Sequence, residues 1–139
     1  MAIIGRFHPL LIHFPIALVL VALGAEAAAI RTADYRWRVA AVINLRAGAA
    51  FAIVAALTGS QLSHSPGIDG MPFLEWHRWF GIAGAVTSLG AAWWSGGANR
   101  WSVTAAWRFR AALLAAAACV ALAGHFGGQL VWGADFLRP

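Results

Sequence analysis

Lysine is missing from this chain: all ten basic residues are arginine, and only five residues are acidic. Charged residues make up 11% of the sequence, where soluble domains run nearer a quarter, and 61% of it is hydrophobic. Too little charge is present to cover an ordinary soluble domain, so the composition is that of a membrane protein. There is one cysteine, Cys119, which excludes an internal disulfide, and no C-x-x-C-H motif for covalent haem attachment. Set inside an alanine run, Cys119 reads as a small packing residue. A length of 139 residues leaves no room for a soluble catalytic domain beside a membrane one. The first apolar run exceeds a secretory signal and lacks a convincing cleavage site, so it is expected to stay in the mature protein.

What is present is a set of long apolar segments punctuated by arginine. The net charge of +5 and the pI of 11.4 would suit a nucleic-acid binder, but such a protein needs a basic face with reachable polar contacts. Arginines between apolar runs are instead the membrane-topology pattern, so nucleic acid is rejected as a partner. A helix crosses the hydrocarbon core in about 20 residues. The charge-poor stretches then predict spans near 8–30, 38–60, 77–96 and 108–132 within a single transmembrane domain, 1–139. Short connections make this an all-α, integral membrane four-helix bundle running up-down-up-down.

Arg31, Arg36, Arg38, Arg100, Arg108 and Arg110 fall on the two connections at one end, while Arg6, Arg78 and Arg138 fall at the other. This bias predicts a bacterial inner-membrane protein with the first group cytoplasmic and with both termini and the 61–76 loop periplasmic. "YRWRVAA" (35–41) and "WRFRAAL" (107–113) echo each other at the starts of two helices. A two-helix duplication would produce this, but so would convergence on the Trp-plus-Arg interfacial anchor, and convergence is the preferred reading. Glu26 and Arg46 are costly in apolar segments, and a pairing between them is expected to neutralise both.

On this topology all five histidines, His8, His13, His64, His77 and His125, share the outward end. At 1.5 Å per residue His13 lies about 7 Å deeper than His8, and His125 is ten residues short of Asp135. Polar groups at depth normally face a bundle interior. Two imidazoles facing each other across a bundle core are an ordinary way to hold a b-type haem, so His13 with His125 is the first expected ligand pair and His8 with His77 the second. Gly124, Gly127 and Gly128 would leave space for a flat macrocycle, although helix contact explains such glycines nearly as well. Pro15 frees the carbonyl of Leu11 one turn from His13, a local bend that would re-aim its ring. Trp76 and Trp79 read most simply as an aromatic belt, while Trp76 and Arg78 could also rim a quinone or haem-propionate site. Ser63, His64 and Asp69 assemble on paper into a hydrolytic triad, but no nucleophile elbow or oxyanion hole accompanies them.

"FHPLLIHFPIAL" (7–18), the histidine opening the third span, and "GHFGGQLVWGADF" (124–136) resemble a widespread family of small bacterial membrane proteins catalogued only as a domain of unknown function. Its members look like four-helix proteins with an HPxxVHFPIAL-type opening motif and a looser GGxLVxxxG-type closing one. The similarity covers nearly the whole chain and carries over His8, Pro9, His13, Pro15, His77, Gly127 and Gly128. Gly133 stands in the region where many relatives have a further histidine. Relatives tend to occur with, or fused to, Rieske-type or c-type cytochrome modules, which implies an electron-transfer role. The resulting expectation is a haem b-binding membrane subunit of a redox complex, a carrier rather than a stand-alone enzyme. It would pass electrons between a periplasmic redox partner and the quinone pool. A non-redox structural or assembly subunit, or a Cu or Zn site at the periplasmic face, is the alternative.

Overall fold

In a computed structural model of the protein, residues 3–96 and 103–135 are described. All their regular structure is helical. A 3-10 turn, Ile3–Phe7, runs into α1 (His8–Leu11) and α2 (His13–Thr32), which together form one span, Ile3–Thr32. Then come α3 (Tyr35–Ser63), α4 (Leu74–Trp94) and α5 (Val103–Trp132). The break at Ile12 has a local cause: Pro15 carries no N–H, so Leu11 loses its helical donor there. The spans near 8–30, 38–60 and 108–132 correspond to the three described helices that are long and apolar enough to cross a membrane. The fourth, expected at 77–96, is α4, 21 residues long, whose tryptophans, glycines, Ser88 and Arg78 dilute its hydropathy.

The connection between α2 and α3 is two residues. Ala33 turns the chain in the left-handed region (φ 55°), and the side chain of Asp34 accepts the N–H of Arg36 at 2.8 Å, capping α3. Between α3 and α4 the chain advances by successive turns, Ser65 to Leu62, Ile68 to Ser65, Met71 to Ile68 and Leu74 to Met71. Gly67 and Gly70 take the positive φ this path requires. Each helix lies against two neighbours, α2 on α3, α3 on α4, α4 on α5 and α5 on α2, closing a ring. The first and third of these contacts are the closest.

Burial repeats along the chain. The buried residues of α5 are Phe109, Leu113, Ala116, Ala117, Val120 and Ala123. Each has a buried counterpart on α3 set 68 positions earlier, from Ala41 and Leu45 to Gly48, Ala49, Ala52 and Ala55. On α2, Pro15, Val19, Ala22 and Glu26 match Gly84, Ser88, Ala91 and Ser95, which lie 69 positions later and are also buried. The α2–α3 and α4–α5 hairpins therefore share one burial pattern. The chain is two hairpins in parallel arrangement. "YRWRVAA" and "WRFRAAL" stand 72 apart, one helical turn out of step with this packing register, as convergence on the interfacial anchor would leave them.

The expected Arg46–Glu26 pair does not form. Glu26, 2% exposed, accepts Arg38 Nη2 at 2.7 Å and Nε at 3.1 Å, and Arg110 Nε at 2.9 Å. Arg38 stands four residues into α3, so the tight turn holds it beside the last turns of α2, within reach of Glu26. Arg46, two turns further on, directs Nε to Ser95 Oγ at 3.2 Å instead. Arg110 also lies over the Trp107 ring, 5.6 Å from its centroid. Arg100 and Arg138 lie outside the described residues.

Candidate functional site

The antiparallel helices bring His8, His13, His64, His77 and His125 to one end, opposite the Glu26 cluster. Two of them meet. The rings of His8 and His77 have centroids 5.9 Å apart and planes 79° to each other. Each is oriented in the same way. His8 Nδ1 lies 3.0 Å from the carbonyl oxygen of Ala55, with Thr58 Oγ1 at 3.3 Å. His77 Nδ1 lies 2.8 Å from the carbonyl oxygen of Ala123. A carbonyl only accepts, so each Nδ1 carries a proton, and in the neutral ring the lone pair is left on Nε2. A backbone acceptor of this kind is what fixes the ring and tautomer of a ligating histidine.

Glycine makes the approach possible. A Cβ on Gly59 would stand 2.7 Å from His8 Cε1, and one on Gly127 would stand 3.1 Å from His77 Cε1. These glycines lie four residues after Ala55 and Ala123, so each half of the repeat offers one carbonyl and one bare backbone patch to a ring. Gly59→Ala is expected to lower stability in detergent by about 1–3 kcal/mol through overpacking. Gly24→Ala, mid-helix where nothing lies within 4 Å, should not lower it and is expected to raise it slightly. Thermal unfolding of the two variants measures the difference.

Beside the rings is a cavity of about 300 Å³, mostly apolar, at the small end of the range for ligand sites. Its polar lining is His8, His77, Ser60, Ser63 and Arg78, and Ile68 and Met71 of the connecting loop close over it. No group of three His, Cys, Asp or Glu side chains suited to a metal ion occurs among the described residues. The donor set is two imidazoles.

The other expected site residues are placed differently. His13 and His125 are both exposed. His13 makes a long local contact to the Leu10 carbonyl (3.4 Å), and His125 lies edge-on to Phe126. Neither faces the bundle interior as their depth led us to expect. Gly124 packs toward Ile16 Cδ1, and Gly127 makes room for the His77 ring and also lines the cavity. Gly128 is half-buried on α5. Trp76 lies outside the cavity, 58% exposed, in a stack with Phe80 and Phe126, whereas Arg78 does line it. Ala55, Gly59, Ala123 and Ser60 were not singled out from the sequence, and Ser63 only as part of a hydrolytic triad. The signal for Gly59 was its distance from His8, 51 residues, nearly that of Gly127 from His77.

The fold and this site define a helical membrane protein with a two-histidine cavity between paired hairpins. The chain belongs to the family described as "Predicted membrane protein (DUF2231)", whose model matches residues 6–136. Comparison with curated proteins and with solved structures gave no match.

Proposed function

We propose that this protein is a haem b-binding membrane subunit of a redox complex, with His8 and His77 as the residues that would hold the iron. The observation that carries the reading is the pair itself: two imidazoles with centroids 5.9 Å apart, each held at Nδ1 by a backbone carbonyl, with no third metal-binding side chain grouped with them among the described residues. Two opposed imidazoles about 2 Å from one ion put their ring centres roughly 6 Å apart, against 5.9 Å here. A structural zinc would require four protein ligands, whereas a haem iron takes only two and receives the others from the macrocycle. The group would supply a one-electron couple. The protein's part is to orient both rings through Ala55 and Ala123, to line the cavity with apolar side chains, and to offer Arg78 to carboxylates at its mouth.

The arginine bias at the opposite end supports a periplasmic position for the histidine end. A periplasmic c-type cytochrome or Rieske-type protein, and the membrane quinone pool, are the partners this reading implies. Protein purified from haem-sufficient cells is expected to show a Soret band and a reduced-minus-oxidised α-band. A preparation with no Soret absorption and no extractable haem would reject the assignment, and copper and zinc analysis of that sample would test the metal alternative.

A further inference from the structure

Arg46, exposed on α3, has no carboxylate partner among the described residues. Its Nε donates to Ser95 Oγ at 3.2 Å, and Ser95, 1% exposed, is itself fixed by donating to the Ala92 carbonyl at 2.7 Å. The other guanidinium N–H groups have no hydrogen-bond partner among the described residues. The chain has five acidic residues to offer. Glu26 is held by Arg38 and Arg110, and Asp34 caps α3 twelve residues away. Asp69, Glu75 and Asp135 stand at the histidine end. Whatever neutralises Arg46 comes from outside the chain.

The internal repeat says what kind of group that is. Arg110 reaches across from α5 to Glu26 on α2; Arg46 reaches across from α3 to Ser95 on α4. Ser95 is the counterpart of Glu26, 69 positions on, although Arg46 itself stands one turn past Val42, the position that matches Arg110. The first hairpin thus supplies an anionic oxygen at this place and the second only a hydroxyl. We propose that the phosphate of an acidic phospholipid meets the exposed guanidinium of Arg46, whose Nε the buried Ser95 hydroxyl holds in place.

Surroundings favour a lipid over a free anion. Arg46 interrupts an exposed stripe of α3 formed by Val39, Ile43, Ile53 and Leu57, at helical spacing. That stripe offers acyl chains a surface on either side of the charge. Depth fits as well. At 1.5 Å per residue α4 is about 31 Å long, close to the hydrocarbon thickness. Ser95 therefore marks the boundary where phosphates lie, with Trp93 and Trp94 exposed beside it. Basic pockets between membrane helices recognise acidic headgroups in this way.

The test is native mass spectrometry of the full chain in detergent with phosphatidylglycerol, phosphatidylcholine or inorganic phosphate. The wild-type protein is expected to retain phosphatidylglycerol about tenfold better than phosphatidylcholine, and Arg46→Gln to lose that preference. Arg36→Gln, which removes the same charge from an exposed site on the same helix, should keep it. Ser95→Glu places a carboxylate beside Arg46 as in the first hairpin and should displace the lipid, with a thermal melt of the same variant showing that the bundle is still folded. Equal losses in Arg46→Gln and Arg36→Gln would reduce the effect to diffuse charge and overturn the proposal. So would lipid retention by Ser95→Glu, or displacement of the lipid by equimolar inorganic phosphate, which would mean a free-anion site. None of these outcomes depends on the histidine site.

Discussion

Replacing either His8 or His77 with alanine is expected to abolish the α-band of the purified protein, whereas His13→Ala and His125→Ala leave it intact. Each half contributes one ring, and a low-spin bis-imidazole iron needs both. Removing one ligand leaves the other still oriented by its carbonyl, so residual binding would be five-coordinate and spectrally distinct. The exposed pair makes no comparable contact: His13 has only a 3.4 Å local bond and His125 an aromatic edge. Difference spectra of the four variants, normalised to protein, decide the matter. An unchanged α-band in His8→Ala together with its loss in His13→Ala would move the site to the outer face and end the present assignment.

The double substitution Arg38→Ala with Arg110→Ala should be the most destabilising change at the opposite end, costing about 3–5 kcal/mol. It leaves a carboxylate that is 2% exposed without any counter-charge. Either single substitution should cost much less, about 1–2 kcal/mol, because the surviving arginine still neutralises Glu26. Both arginines keep some access to solvent (20% and 26% of the side chain exposed), which holds the single-variant figures down. Adding Glu26→Ala to the double variant should recover part of the loss by removing the stranded charge. Thermal melts in one detergent test the whole cycle. Strict additivity of the two arginine substitutions would show that they do not share the carboxylate.

Depth along a helix is readable in a sequence; direction around it is much less so. Spans and the common end of the histidines follow from where charge stops and starts, and the helices agree with them. The ligand pair does not follow. His8 and His13 are five residues apart, which is about 140° around a helix at 3.6 residues per turn, so both cannot face the same seam. Depth favoured His13, while packing turned His8 inward against Gly59. The same holds on α5, where Ala123 and Gly127 face α4 and His125, two residues from each, points to the far side. A strict phase analysis against the small residues of 116–127 would have found this. The Glu26 partner was missed for a related reason: the two-residue turn determines which arginine stands level with it, and that geometry lies in the Ala33–Asp34 backbone.

The repeat was obscured by its most conspicuous resemblance. Tryptophan and arginine at helix starts answer to the membrane boundary and drift by a turn without cost, as positions 35–41 and 107–113 have done. Small residues at helix crossings cannot drift, because one step moves them off the seam. "LRAGAAFAIVAALTG" (45–59) and "LLAAAACVALAGHFG" (113–127) therefore keep the true register.

A hairpin of two spans begins and ends on the same side of a bilayer. Two such hairpins lying side by side can be fused end to start without inverting either one, and the linker needs only to cross the gap between neighbours. Residues 64–73 are such a linker, and Ile68 and Met71 within it also roof the histidine cavity. Fusion would turn a symmetric pair of subunits into one chain whose halves mutate independently. A carboxylate kept at position 26 and a serine at position 95 is the kind of divergence that separate subunits of one gene could never have acquired.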